Sequence, residues 1–282
     1  MPWIDRMRGL PLGRIVPTTL IAAFSLLWIF PPLLTLATAF KSDAEVLANP
    51  FGLPAVPTLD AFRYAWQAMD YAGLFFNSFL YSAAGSAFAV VLALPAAYAF
   101  SWFRIPGRVL LFVMLLTTLM LPQQTVILPL FSLLRTLGLL DTRFGLILVH
   151  AAFGMPFLLL VMTGFVSGIP REVADAARID GCSDFGIFRY IIVPLTMPAI
   201  AVGFTINFIN IWKEYFFALI LLSSQDAMPI NVGILGVTND FFFTSLNLPS
   251  AAIVLAQLPL ILLYVFANRW IRQGMFAGAI KS

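Results

Sequence analysis

Charge is what this 282-residue chain has least of. Only 10% of its residues are Asp, Glu, Lys or Arg and 61% are hydrophobic, whereas ordinary soluble domains carry about 25% charged residues. No soluble fold of this length has enough interior to hide so much apolar surface, so lipid is the solvent for most of the chain. Cysteine is nearly absent as well. Cys182 stands alone, which excludes an intrachain disulfide, and it reads as an inert small residue. The single histidine, His150, offers no metal cluster and reads as a packed or interfacial side chain. No G-x-x-x-x-G-K-[ST] run is present, so the chain lacks the usual phosphate-cradling loop of an ATPase. Ser/Lys or Ser/His pairs placed for intramembrane catalysis are also missing, which argues against an enzyme. The net charge of +3 comes from basic residues scattered over loop ends, with neither a basic stripe nor a nucleic-acid motif.

What is present is a series of long apolar runs. A bilayer core of ~30 Å needs roughly 20 apolar residues per helix, and stretches near 15–39, 74–100, 109–133, 144–166, 195–222 and 248–270 meet that length. The first is too long for a signal-peptide core of roughly 7–15 residues and reads as a retained membrane helix. The expected architecture is an all-α membrane protein, a six-helix transmembrane bundle forming a single domain over 1–282. Between Lys41 and Asp70, Pro50, Pro54 and Pro57 mark an ordered loop with one short helix near 59–68. Placing both termini inside puts Arg6, Arg8, Arg14, Arg104, Arg108, Arg171, Arg178, Arg189, Arg269, Arg272 and Lys281 on the inner side. Only Lys41, Arg63, Arg135 and Arg143 then lie outside. That asymmetry predicts cytoplasmic N- and C-termini. Prolines at 31, 32, 95, 122, 129, 156 and 259 fall within spans; they fit either ordinary membrane-helix packing or a bundle bent around a pathway. No internal repeat of the kind found in secondary transporters is visible.

Seven charged residues cluster between Arg171 and Arg189, on the same inner side. Pro170 and Glu172 suit the start of a helix, and Gly181 suits its end. Val173, Ala176 and Ala177 share a small apolar face at helical spacing. Ser183 or Asp184 can cap a second short helix, with Phe185, Phe188 and Ile192 on one stripe, before Pro194 opens the next span. This helix–Gly–helix loop over 170–194 either docks a soluble partner or folds back on its own bundle.

Asp175-Ala176-Ala177, then Gly181, then Ile191-Ile192-Val193-Pro194 resembles the EAA loop of ABC-importer permeases, E-A-A-x3-G-x9-I-x-L-P, with Asp175 for the glutamate and Val193 for the leucine. Asn77-Ser78, Ala97-Tyr98-Ala99-Phe100, Phe103 through Arg108, Leu121-Pro122-Gln123, Pro129-Leu130-Phe131, Ile179-Asp180-Gly181 and the tail Gly274–Lys281 resemble the carbohydrate branch, of MalG type. The resemblance covers nearly the whole chain. It implies a type I importer permease of the bacterial inner membrane that moves a sugar or sugar-like solute. It further implies a MalF-type second permease, two ATPase subunits that carry ATP and magnesium, and an extracytoplasmic solute-binding protein. No cofactor is then held by this chain. The loop would couple to the ATPase through Glu172, Asp175, Ala176, Ala177, Gly181 and Phe185, and the tail around Gly278–Lys281 is a further candidate contact.

Polar groups inside spans usually face a bundle interior. Asn207, Asn210, Trp212, Lys213 and Glu214 in the fifth span and Gln123 in the third are therefore candidate pathway residues, aromatic faces and planar polar groups being what sugars bind. Interhelical hydrogen bonding with a partner permease is the other account of them. Gly164 and Gly168 fit a generic helix-contact spacing. An ion-coupled secondary transporter is the first rival reading, and only Lys213 and Glu214 could serve it. An ABC permease for amino acids or peptides is the second.

Overall fold

A computed structural model describes residues 11–241 and 245–279. Arg6, Arg8, Ile280 and Lys281, which bear on orientation and on the tail contact, lie outside the described residues. In chain order the helices are α1 (Pro11–Ala39), α2 (Asp43–Ala48), α3 (Asp60–Ala68), α4 (Tyr71–Trp102), α5 (Arg108–Thr117), α6 (Gln123–Thr136), α7 (Arg143–Ser167), α8 (Arg171–Ile179), α9 (Asp184–Ile187), α10 (Val193–Lys213), α11 (Phe216–Leu221), α12 (Ile230–Phe241) and α13 (Asn247–Ala279). A π-helical turn, Phe188–Ile192, joins α9 to α10. Among the described residues five helices are long and apolar enough to cross a membrane, and a sixth span arises if α5 and α6 count together.

That pair departs from the expected single span over 109–133. The chain bends by 105° between its two halves. Leu121 and Pro122 are both extended at the break (ψ 126° and 132°), as a residue before proline prefers, and Pro122 has no N–H to continue the ladder. The expected fifth span, 195–222, is also interrupted: α10 stops at Lys213, and Glu214–Tyr215 separate it from α11. Prolines 95, 129, 156 and 259 stay inside continuous helices.

The described residues form two compact units. In the first, residues up to 69 with 236–257, the segment between α1 and α3 is ordered by one cation. Lys41 is fully buried, and its Nζ donates to the carbonyls of Asn49 (2.7 Å) and Pro50 (3.4 Å). Asn247 Nδ2 donates to the Lys41 carbonyl at 2.9 Å. The segment contains α2 as well as the expected helix near 59–68.

In the second unit α4, α7 and α10 pack in mutual contact. Their apposition depends on small residues: a Cβ at Gly154 would lie 2.5 Å from Asn207 Oδ1. Asn207, nearly fully buried, donates through Nδ2 to Ser86 Oγ at 3.2 Å, tying α10 to α4. Two apolar clusters flank this contact. One contains Tyr81, Leu146, Ile211 and Phe217. The other runs from Ala89, Leu158 and Met162 into the 170–194 loop.

Overpacking such a contact typically costs about 1–3 kcal/mol. Gly154→Val is therefore expected to lower the thermal midpoint of the detergent-purified protein, whereas Gly164→Ala, where a Cβ meets nothing within 4 Å, is expected to leave it unchanged. Equal midpoints for the two variants would contradict the packing assigned here.

Candidate functional site: the helix–turn–helix loop

The loop over 170–194 is built from local signals. Pro170, extended (φ −59°, ψ 135°), precedes α8, with Glu172 in the first turn and Arg178 in the last, each sign matching the helix dipole. At the C-terminus Gly181 has φ 85°. Cys182 N–H donates to the Ala177 carbonyl (2.9 Å) and Gly181 N–H to that of Arg178 (3.0 Å). This is the paired bonding of a Schellman stop, which favours glycine in the left-handed position. Ser183 Oγ then accepts from Gly186 N–H at 3.2 Å and starts α9.

One arginine holds the two short helices together. Arg178 Nη1 reaches Asp175 Oδ1 at 3.0 Å and Nη2 reaches Asp184 Oδ1 at 3.1 Å, across the Gly181 turn. All three side chains are about half exposed or more, so the pairs are screened and weak individually. Their joint effect is to fix the angle between α8 and α9.

The loop has two faces. Ala174, Ala177, Ile187 and Ile192 are buried in the same cluster as Ala89, Leu158 and Met162, and the Phe188 ring lies 5.6 Å from that of Tyr98. The opposite stripe of α8, Glu172, Asp175, Ala176 and Ile179, follows i, i+3, i+4, i+7 spacing and is exposed. Ile179 (88%), Tyr190 (75%), Phe185 (74%) and Val173 (41%) present bare apolar surface, and Cys182 is exposed in the turn between them.

Of the residues singled out in this loop, Glu172, Asp175, Ala176 and Phe185 are on the outward side and Gly181 makes the turn. Ala177 points inward, paired with Ala174 rather than with Val173 and Ala176. Phe185, Phe188 and Ile192 do not form one stripe, because the wider π turn shifts the register and buries Ile192. Ile179 and Tyr190 were not singled out. Ile179 could have been: it lies 200° round α8 from Ala177, so burying one exposes the other.

The polar residues of the spans separate. Asn207 is inside the bundle on Ser86, whereas Asn210, one turn on, is exposed. Trp212 is buried against Phe208 and Phe75, and its carbonyl accepts from Asn231 Nδ2. Glu214 accepts from the N–H groups of Phe216 (2.6 Å) and Phe217 (3.0 Å), capping α11. Lys213 is exposed, and Gln123 is partly buried at the start of α6. His150 is buried, its ring 6.3 Å from that of Phe217.

At the start of α4, remote from the loop, a second polar assembly clamps residues 223–230. Asn77 Nδ2 donates to the carbonyls of Asp226 and Met228 (2.8 and 3.0 Å). Tyr81 Oη donates to the Ala227 carbonyl (2.6 Å). Ser78 Oγ accepts from Ile230 N–H (2.8 Å), and Arg143 Nε donates to Asn77 Oδ1 (3.1 Å). Asp141 accepts from the N–H groups of Ser223 and Ser224 (2.7 and 2.9 Å) and from the Ser224 hydroxyl (2.6 Å). Sequence reasoning registered Asn77-Ser78 without a role, since the partners are distant in the chain.

The Ser224 hydroxyl chiefly, then the Ser224 and Ser223 amides, hold the Asp141 carboxyl below the usual carboxylate range. A lowered folded-state pKa contributes stability above the unfolded value of about 3.9, lost as pH falls through the folded one. Asp141→Asn, which keeps a residue tolerant of φ 58°, is expected to speed amide exchange of residues 223–230. Corrected for intrinsic rates, the difference from wild type is expected to persist at neutral pH and shrink below about pH 4. Identical protection at neutral pH would refute the clamp.

Comparison with known proteins places this geometry. Residues 85–277 match the family described as binding-protein-dependent transport system inner membrane component. The diacetylchitobiose uptake system permease protein NgcG of Streptomyces coelicolor is 30% identical over 263 residues, covering 93% of this chain and 87% of that protein. The sulfoquinovosyl glycerol transport system permease protein SmoH of Agrobacterium fabrum is 31% identical, covering 94% of each. Among solved structures, a chain of a bacterial ABC transporter involved in the import of the acidic polysaccharide alginate is similar with a TM-score of 0.80. It is 25% identical, covering 94% of this chain and 96% of that one. The chain belongs to the family of binding-protein-dependent transport system inner membrane components.

Proposed function

We propose that this permease is one membrane subunit of an ATP-driven importer of a saccharide or glycoside, and that the 170–194 loop is where a separate ATPase grips it. Relatives named for diacetylchitobiose and sulfoquinovosyl glycerol uptake support the substrate class. The observation that carries the coupling role is the two-faced loop. Its inner residues are part of the bundle's core, while Ile179, Phe185 and Tyr190 are bare. A rigid element with one face fused to the spans and the other apolar is suited to receive a partner's motion. In this reading both termini and the loop are cytoplasmic, in a bacterial inner membrane. A second permease, a pair of ATPases holding ATP and magnesium, and an extracytoplasmic binding protein complete the machine. Glu214 spent on an α11 cap disfavours the ion-coupled alternative.

In proteoliposomes of the assembled importer, Ile179→Glu is expected to reduce sugar uptake at least tenfold, as removal of a central apolar anchor does, without changing thermal stability, since Ile179 is 88% exposed. Gly181→Pro, which cannot adopt φ 85° and lacks the N–H that bonds the Arg178 carbonyl, is expected to reduce uptake as well, with a lower thermal midpoint. Ala177→Glu is the poorer probe, because it forces a carboxylate into the core cluster. Uptake unaffected by Ile179→Glu, or uptake driven by an ion gradient without ATP, would sink the proposal.

A further inference from the structure

At the loop end of the second unit, a groove between α4, α5 and α7 is used by nothing described above. It encloses about 260 Å³ and is lined by Phe100, Ser101, Arg108, Phe112, Thr163 and Ser167, with Val109 at its edge. Its walls are mainly apolar, Phe100 and Phe112 meeting edge to face at 5.6 Å. Beside it α5 exposes Val109, Leu110, Val113 and Met114, which is lipid-facing surface for a membrane protein. On the isolated chain the groove thus opens beside apolar surface that suits an acyl chain.

Its polar groups are specific. Ser101 Oγ and Thr163 Oγ1 are buried with no hydrogen-bond partner among the described residues, an arrangement that costs free energy unless a ligand satisfies it. One guanidinium lines it, that of Arg108, whose Nη1 donates to the Phe100 carbonyl (3.2 Å); a second, that of Arg171, reaches the lining residue Ser101 by donating through Nη2 to its carbonyl (3.4 Å). Each carries five N–H donors, so these bonds leave donors for an anion. No acidic residue lines the groove.

We infer that this groove binds one anionic phospholipid. Its phosphate pairs with Arg108 and Arg171, Ser101 and Thr163 donate to headgroup oxygens, and an acyl chain lies along Val109 and Phe112. Basic pockets between membrane helices take such headgroups, and guanidinium groups are the preferred phosphate partners. A free phosphate has the same chemistry at the arginines but no use for the apolar wall. Because Arg171 opens α8, the lipid would steady the base of the loop. The inference does not depend on the transported solute.

The test is native mass spectrometry of the full chain released from phosphatidylcholine vesicles made with and without phosphatidylglycerol. Wild type is expected to retain one phosphatidylglycerol in preference to phosphatidylcholine. Arg108→Gln is expected to lower that retention about fivefold. Thr163→Val, which keeps the shape and removes the hydroxyl, is expected to lower it with an unchanged thermal midpoint. Retention equal to wild type in both variants would overturn the site, as would equal retention of phosphatidylcholine. Inorganic phosphate displacing the lipid at equal concentration would overturn the lipid as its ligand.

Discussion

The continuity of one apolar cluster is the constraint on which the rest depends. Ala174, Ala177, Ile187 and Ile192 of the loop are buried together with Ala89, Leu158, Met162 and Val166 of the long helices. The loop is thus the end of the bundle rather than an appendage to it. Interiors packed at this density transmit displacement instead of absorbing it. A push on α8 from outside must then move α4 and α7, each of which is tied to α10 through Asn207, packed on Gly154 and bonded to Ser86.

The same economy governs the scarce polar groups. Lys41 orders an extended segment through two carbonyls, and Arg178 fixes two short helices through two carboxylates. Glu214 caps α11, and Asn77, Ser78, Tyr81, Arg143 and Asp141 bind one loop. Several of the chain's few charges are thus committed to holding the structure together. Among the candidate pathway side chains Asn210 and Lys213 are exposed and Gln123 is partly buried, while Asn207 is bonded to Ser86 inside the bundle.

Much of this was legible in the sequence. Apolar run length located the long helices, and Pro170, Gly181 and Ser183 marked the loop's starts and stops, because caps act over a few residues. The face of α8 was not legible. Val173, Ala174, Ala176 and Ala177 are all small and apolar, so two stripes fitted equally, and packing against Ile187 and Ile192 decided between them. The 105° break at Pro122 was not legible either, since proline at 129 or 156 leaves its helix continuous. The π turn that separates Phe185 from Ile192 has no sequence marker beyond Pro194 just after it. The clamp on residues 223–230 joins positions 82 to 152 apart in the chain, beyond any local pattern.

If an ATPase subunit grips the loop as proposed, the outward face of the loop is covered in the assembled importer. Cys182, the chain's single cysteine, is exposed in the turn between α8 and α9 and reports on cover of the loop without any mutation. The decisive measurement is the rate of maleimide modification of Cys182 in membranes with and without the partner ATPase. The ATPase is expected to slow modification strongly, and Ile179→Glu to restore the unprotected rate. Modification at the same rate whether or not the ATPase is bound would contradict the proposal.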